Sequence, residues 1–367
     1  MGLLRKNYKF MSDDQKKNFV SALYVLKNKG VVDNFAQIHA KWFTLGIHRT
    51  SHFLPWHREM LYRFEQELQK VDSSVSIPYW DSTADNSPSS PLWADAFLGQ
   101  FNTAWNLKRA FGAAQGSHLP TLQQVQNNHQ RTDYDLFWYG QDAQGLDGLE
   151  VSIHNPPHQW VGGVMATDHS PQDPAFYLHH CWIDMLWAWW QTWHKDSPYV
   201  SSPPTWRSWG FGDPLLEWPT HYPVTVWDHR KLGYRYDTDH WLAAGDVLNP
   251  SDCQFSLNGS YMLLFKMGCL QYQTPDQKTV LWRSNDPTSD TGKSCIMQSD
   301  GNLVIYDDTN PNQHKPIWAS NTVGHNNSYL LIQQDGHLGI YGSDWKPFTP
   351  KPWSVPPPGE GRPDGWG

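Results

Sequence analysis

From residue 253 onward the sequence repeats itself, and no other feature restricts its folding as strongly. VLWRSND (280–286) recurs as PIWASNT (316–322), and MQSDGNLVIYD (297–307) recurs as IQQDGHLGIYG (332–342). Each pair is offset by about 35 residues, the length of one small sheet of three or four strands. Within each copy, apolar and polar residues alternate and the runs break at Asn, Asp and Gly, which is the pattern of short strands joined by turns. The stretch 261–272 reads as an eroded first copy. One such unit cannot bury its apolar face alone, so the copies must share a core. An all-β domain is expected here.

The preceding residues have a different period. Apolar residues recur at three- and four-residue spacing over 13–29, 33–44, 55–71 and 174–195, which predicts helices. The connecting stretches 72–150 and 196–235 are long and rich in Pro, Gly, Trp and Asp. Connections of that length are usually functional or packed by their own side chains. Composition divides at the same place: fifteen of the eighteen His and seventeen of the twenty-two Trp precede Gly245. A chain of 367 residues suits two domains at roughly 100–200 residues each. The expected domains are 1–245, helical, and 246–353, strand-rich, with 354–367 as an irregular Pro/Gly tail. The 14% aromatic content excludes an acidic disordered chain. Four cysteines are too few for a disulfide-built scaffold. No apolar run approaches the roughly 20 residues of a membrane span. A net charge of −8 argues against a nucleic-acid partner. The N-terminal stretch lacks the apolar segment of a secretory signal, so the expectation is the cytoplasm or export by another route.

The histidines carry the chemistry. Phe35, Ile38, His39 and Trp42 share one helical face, and His57 lies on the stripe of Leu61, Phe64 and Leu68. His48 falls in the connection between them. His154 and His158 are one turn apart in HNPPHQWVGG, and His180 shares a stripe with Phe176, Ile183 and Trp187. A single His on an apolar face is ordinarily a hydrogen-bonded core residue. Six need a common reason, because each unpaired imidazole costs a few kcal/mol to bury. Imidazole suits Zn, Cu, Fe and Ni. A lone zinc takes about three protein ligands and leaves half the set unused. HNPPH lacks the Glu of the zinc-protease helix, and the paired Glu-x-x-His of di-iron bundles is missing. Two coppers with three neutral imidazoles each fit best, although ligand type alone does not choose the metal. Asp173 and Pro174 read as the start of the last long helix. Pro156 disfavours a helical Asn155, so a helix is expected to begin near Pro156 with His154 on its lead-in.

FLPWHRE, HNPPHQWVGG, DPAFYLHH and KLGYRYD resemble the type-3 copper proteins, most closely the bacterial-type tyrosinases, over residues 5–240. The resemblance implies a helical-bundle dicopper domain. His39, His48 and His57 would hold one copper, and His154, His158 and His180 the other. His179 would be a neighbour, and His52 an exposed loop residue. It implies O2 as co-substrate and small phenols as substrates, hydroxylated ortho to the hydroxyl and oxidised to o-quinones. Glu150 and Asn155 would together hold a water that takes the phenol proton. The segment 164–169 would gate the second copper, and small or polar Thr167 and Asp168 suggest an open entrance. The thioether that joins a Cys to a first-site His in some relatives cannot form here, because the first cysteine is Cys181. The alternatives are a catechol or o-aminophenol oxidase without monophenol activity, and an oxygen carrier of the haemocyanin type.

In QSDGNLVIY the residues Gln298, Asp300, Asn302, Val304 and Tyr306 alternate, so on a strand they share one face. Amide, carboxylate and phenol groups in a row suit sugar hydroxyls. The pattern resembles the bulb-type mannose-binding lectins of the β-prism II fold over 247–346. A mannose-type glycan is the implied partner. The third copy keeps Gln333, Asp335 and Tyr341 but has His337 and Gly339, and the first has lost the motif. With at most one complete site, the domain could equally cap the copper site or pair chains into a homo-oligomer. The tail with Trp353 and Trp366 is a candidate plug. The resemblance also implies a disulfide between Cys269 and Cys295. The fold expected for the chain is a mainly α dicopper domain followed by an all-β prism domain.

Overall fold

The computed structural model describes residues 3–140, 145–194, 196–199, 209–256, 259–285, 292–308, 310, 314–342 and 354–356. Trp353 and Trp366 lie outside them. The chain divides into two compact units, one of Asn7–Leu232 and one of Met1–Lys6 with Gly233–Gly367. This differs from a break near 245, and local pairing explains why. Leu3–Arg5 forms a parallel ladder with Tyr234–Tyr236, Leu3 opposite Tyr234 and Arg5 opposite Tyr236. The Lys6 ammonium meets the Asp252 carboxylate at 2.8 Å with both side chains buried. The N-terminal strand and residues 233–237 of the KLGYRYD segment therefore belong with the strand-rich unit.

The helical unit is built on α1 (Asp13–Asn28), α2 (Val31–Trp42), α3 (Phe53–Gln69), α4 (Asn155–Val161) and α5 (Ala175–Trp193). Ser12 and Gln15 form a reciprocal capping box at the start of α1. Gly30 takes the left-handed φ of 73° that lets the chain turn from α1 into α2. Asp173 accepts the Ala175 N–H at 2.8 Å and so caps α5. Trp56, Trp182, Trp187 and Trp190 are fully buried. At about 150–250 Å² each, such rings contribute about 4–6 kcal/mol apiece before the entropy of ordering them. Two ion pairs lie within this apolar interior, Arg58–Asp184 at 2.5 Å and Arg109–Asp173 at 2.6 Å.

The helix carrying His154 starts earlier than its prolines suggest. Glu150–His154 forms a π-helical turn that runs straight into α4. Asn155 is helical at φ −64° and ψ −40° although Pro156 follows it, and its N–H bonds the Glu150 carbonyl five residues back. Pro156 and Pro157 have no N–H to place, so the wider turn leaves fewer donors unpaired.

In the other unit, three four-stranded antiparallel sheets contribute to one core. The first is a meander of Cys253–Phe255, Met262–Lys266, Cys269–Gln273 and Val280–Arg283. The second joins Gly292–Met297, Leu303–Asp307 and Lys315–Ala319, and takes Val247–Leu248 as an edge. The third joins Tyr329–Ile332, Leu338–Tyr341 and Ser354–Val355, with Trp241–Leu242 as its edge. Leu263, Leu270, Leu303, Ile305, Leu330 and Leu338 bring all three together in the core.

Two expectations are corrected here. The expected bridge is absent: Cys269 and Cys295 are buried free thiols. They sit in different sheets, and the Cys269 thiol donates instead to the Asn285 carbonyl, 3.0 Å away. The QxDxNxVxY row is also not one strand face. Only Val304 and Tyr306 lie on a strand, while Gln298, Asp300 and Asn302 form the turn before it, with Gly301 at φ 91°. The Gln298 N–H bonds the Asn302 carbonyl at 2.8 Å, and in the third copy Gln333 bonds His337 at the same 2.8 Å. The turn folds the motif back, so the Gln298 amide reaches the Tyr306 hydroxyl at 2.6 Å.

Candidate metal centre

Five of the six histidines sit on helical turns: His39 on α2, His57 on α3, His154 on the π turn, His158 on α4 and His180 on α5. His48 sits on the loop between α2 and α3. One ring nitrogen from each of His39, His48 and His57 falls within 4.8 Å of the others. The Nε2 atoms of His39 and His48 are 3.2 Å apart. In the second trio the Nε2 of His158 is 3.0 Å from that of His154 and 3.3 Å from that of His180, and His154 and His180 approach at 3.1 Å. Packing of α3 on α5 brings the trios face to face, with the His57 and His180 rings stacked at 4.3 Å.

The opposite ring nitrogens explain the orientation. His39 Nδ1 donates to the Asp168 carbonyl at 2.6 Å, His57 Nδ1 to the Phe53 carbonyl at 2.7 Å and His158 Nδ1 to the Met165 carbonyl at 2.8 Å. Carbonyls only accept, so each Nδ1 carries the proton and each Nε2 turns a lone pair inward. His154 Nδ1 reaches Asn155 Oδ1 at 2.9 Å, and His48 Nδ1 reaches Glu150 Oε1 at 3.1 Å. Facing lone pairs at about 3 Å repel unless a cation lies among them. The donor set therefore fits a metal ion at each trio, and neutral nitrogen ligands suit copper.

Burial, reinforced by neighbouring imidazoles, keeps the rings uncharged. Desolvation lowers His39 to about 3 and His158 to about 4. His48, His57, His154 and His180 are also held well below the ordinary imidazole range, again chiefly by burial.

His179 also brings a ring nitrogen within 4.8 Å of donors on His154 and His158. Its Nε2, however, bonds the His154 carbonyl at 2.9 Å. That commits His179 to holding the backbone of His154, while His180 supplies the Nε2 that faces the other two. His52 is not an exposed loop residue. It precedes α3, is buried, and packs on Trp209 at 4.8 Å.

Glu150 and Asn155, paired in the expectation around one water, each contact an imidazole of a different trio. The Glu150 carboxylate accepts the Arg49 N–H at 2.9 Å on both oxygens in addition to the His48 contact, and it is buried. Asn155 is exposed and holds His154. The segment 164–169 has exposed Thr167 and Asp168, and its backbone clasps one imidazole of each trio through the Met165 and Asp168 carbonyls. These carbonyl partners escape sequence reasoning because any residue type offers the same group.

A helical unit that converges two buried imidazole trios has the form of a dinuclear metal protein. The family model for the common central domain of tyrosinase matches residues 29–110 and 99–193. The tyrosinase of Streptomyces antibioticus is 37% identical over 273 residues, which cover 64% of this chain and 99% of that protein. The tyrosinase of Streptomyces glaucescens is 35% identical over 275 residues, with the same coverage. Grixazone synthase of Streptomyces griseus is 31% identical over 304 residues, again with 64% and 99% covered. The chain belongs to the tyrosinase family. Among solved structures, a polyphenol oxidase from Thermothelomyces thermophila matches with a TM-score of 0.41 at 21% identity, over 52% of this chain and 70% of that one. The mannose-specific snowdrop agglutinin (Galanthus nivalis) matches with a TM-score of 0.25 at 33% identity, over 31% of this chain and 98% of that one.

Proposed function

We propose that this protein is a dicopper phenol oxidase that hydroxylates monophenols ortho to the hydroxyl and oxidises o-diphenols to o-quinones. The observation that carries this is the pair of converging trios of neutral, buried imidazoles, His39, His48 and His57 opposite His154, His158 and His180. When bound, copper supplies the redox chemistry with O2 as co-substrate. The protein's part is to hold six uncharged nitrogens in place and to exclude bulk water. Backbone carbonyls from Phe53, Met165 and Asp168 set three of the ring planes. Such outer partners orient a ligand and raise its basicity. Oxygen uptake with tyrosine and with a catechol tests the activity. Uptake on both is expected. Uptake on the catechol alone would make the chain a catechol or o-aminophenol oxidase, and uptake on neither would contradict the reading.

The strand-rich unit is assigned a glycan-binding role at its second repeat, with the three sheets taken as the faces of a prism. The part of the motif open to a sugar is Gln298, Asp300 and Tyr306, while Asn302 and Val304 are buried. Asn302 Oδ1 accepts from Ser320 Oγ at 3.1 Å and from the Thr322 N–H at 3.2 Å, and so shapes the turn from beneath. Retention on immobilised mannose, abolished by Asp300→Ala, is the expected result. Passage of the unmodified chain without retardation would remove this role.

A further inference from the structure

The polar row of the second repeat does not end at Tyr306. Asp308 follows the strand Leu303–Asp307, and His314 precedes the neighbouring strand Lys315–Ala319. The Asp308 carboxylate joins them to a third strand. Its Oδ1 accepts from His314 Nδ1 at 2.6 Å, and its Oδ2 accepts from the Ser294 hydroxyl at 2.6 Å. Ser294 stands opposite Tyr306 in the ladder, so the cluster shares a sheet face with the Tyr306 side chain. The His314 ring meets the Tyr306 ring edge-on, with centroids 6.1 Å apart. On its other side Tyr306 takes the Gln298 amide at 2.6 Å. Polar groups therefore run without a break from Gln298 through Tyr306 to Asp308 and His314. From Val304 to Asp308 the chain advances about 13 Å, more than one hexose ring covers.

The cluster is held in place and still has bonding capacity. The His314 side chain is 70% exposed and that of Asp308 is 22% exposed. Each carboxylate oxygen keeps a second lone pair, and with the proton on Nδ1 the His314 Nε2 is an acceptor. Such groups take hydroxyl donors. The third copy of the repeat is built differently at this place. There Tyr329 stands opposite Tyr341, where the second copy has Ser294 opposite Tyr306, and the two phenol rings stack at 6.4 Å.

We infer that Asp308 and His314, held by Ser294, form a second sugar subsite beside Gln298, Asp300 and Tyr306, so that the second repeat takes two linked mannose residues across Tyr306. This rests on the glycan-binding role proposed above and adds to it the second sugar and the side chains that receive it.

Isothermal titration of the full chain with methyl α-mannoside and with the α1,2-, α1,3- and α1,6-linked mannobioses tests the subsite. At least one disaccharide should bind about 10-fold more tightly than the methyl mannoside, the gain from about two added hydrogen bonds. His314→Ala should remove that gain and leave the affinity for methyl mannoside unchanged, and Asp308→Ala should do the same. Equal affinity of the wild-type chain for the methyl mannoside and all three disaccharides would overturn the subsite and leave the first site standing. So would a gain that survives His314→Ala. Loss of methyl mannoside binding in His314→Ala would put that residue in the first site and overturn a separate second one. A wild-type chain that binds none of the four sugars would overturn the glycan-binding role itself, and the subsite with it.

Discussion

At the scale of single residues, the centre is built from short-range rules that act at long sequence range. Helical stripes in the sequence place His39, His57 and His180 on buried faces because the 3.6-residue period is visible in the apolar pattern. The partners that orient these rings come from elsewhere in the chain, as when Asp168 meets His39 across 129 residues. A backbone carbonyl leaves no trace in residue identity, so these contacts were not legible. The adjacent pair His179 and His180 divides its work by direction, one ring bonded to a backbone carbonyl and the other facing His154 within the second trio. Copper analysis separates them. His180→Ala should hold about one copper per chain in place of two, while His179→Ala should still hold two, with weaker retention at the second trio. Equal loss in both variants would contradict this division.

At the scale of elements, the prolines of HNPPH point to a helix start, and the start lies six residues before Pro156 because a π turn accommodates them. The repeat motif points to a strand, and its first half is a turn because Gly301 takes a positive φ. In both cases composition reveals that an element is present, and local hydrogen bonding decides where it begins. The start of α5 depends on Asp173, which caps Ala175 and pairs with the fully buried Arg109. Removing one member of such a pair leaves an unpaired buried charge, at a cost of about 3–5 kcal/mol. Asp173→Ala should therefore lower the urea midpoint of unfolding strongly and loosen the helix that carries His180. A midpoint unchanged from wild type would show that the pair contributes little.

At the scale of the whole molecule, the division into a helical and a strand-rich unit was legible as a change of period, whereas its position was not. The parallel pairing of residues 3–5 with 234–236 depends on two segments about 230 residues apart. The buried neutral histidines also give the metal-free protein a definite pH dependence. An unfolded imidazole takes a proton near pH 6.5, but His158 in the folded protein resists protonation until about 4 and His39 until about 3. As pH falls through this window the unfolded state binds protons first, so stability present above pH 6.5 is lost toward pH 4, by up to about 1.4 kcal/mol per pH unit for each such ring. Urea unfolding of the metal-free chain should show a clearly lower midpoint at pH 5 than at pH 7.5. Equal midpoints would mean that the rings are not held neutral.

The central claim, two imidazole trios each holding one copper and together engaging oxygen, is tested most directly by copper content measured together with oxygen-dependent near-ultraviolet absorption. Two coppers per chain are expected, with an intense band that appears when the reduced protein meets oxygen and fades when oxygen is removed. One copper or none after reconstitution, or two coppers with no oxygen-dependent band, would contradict it.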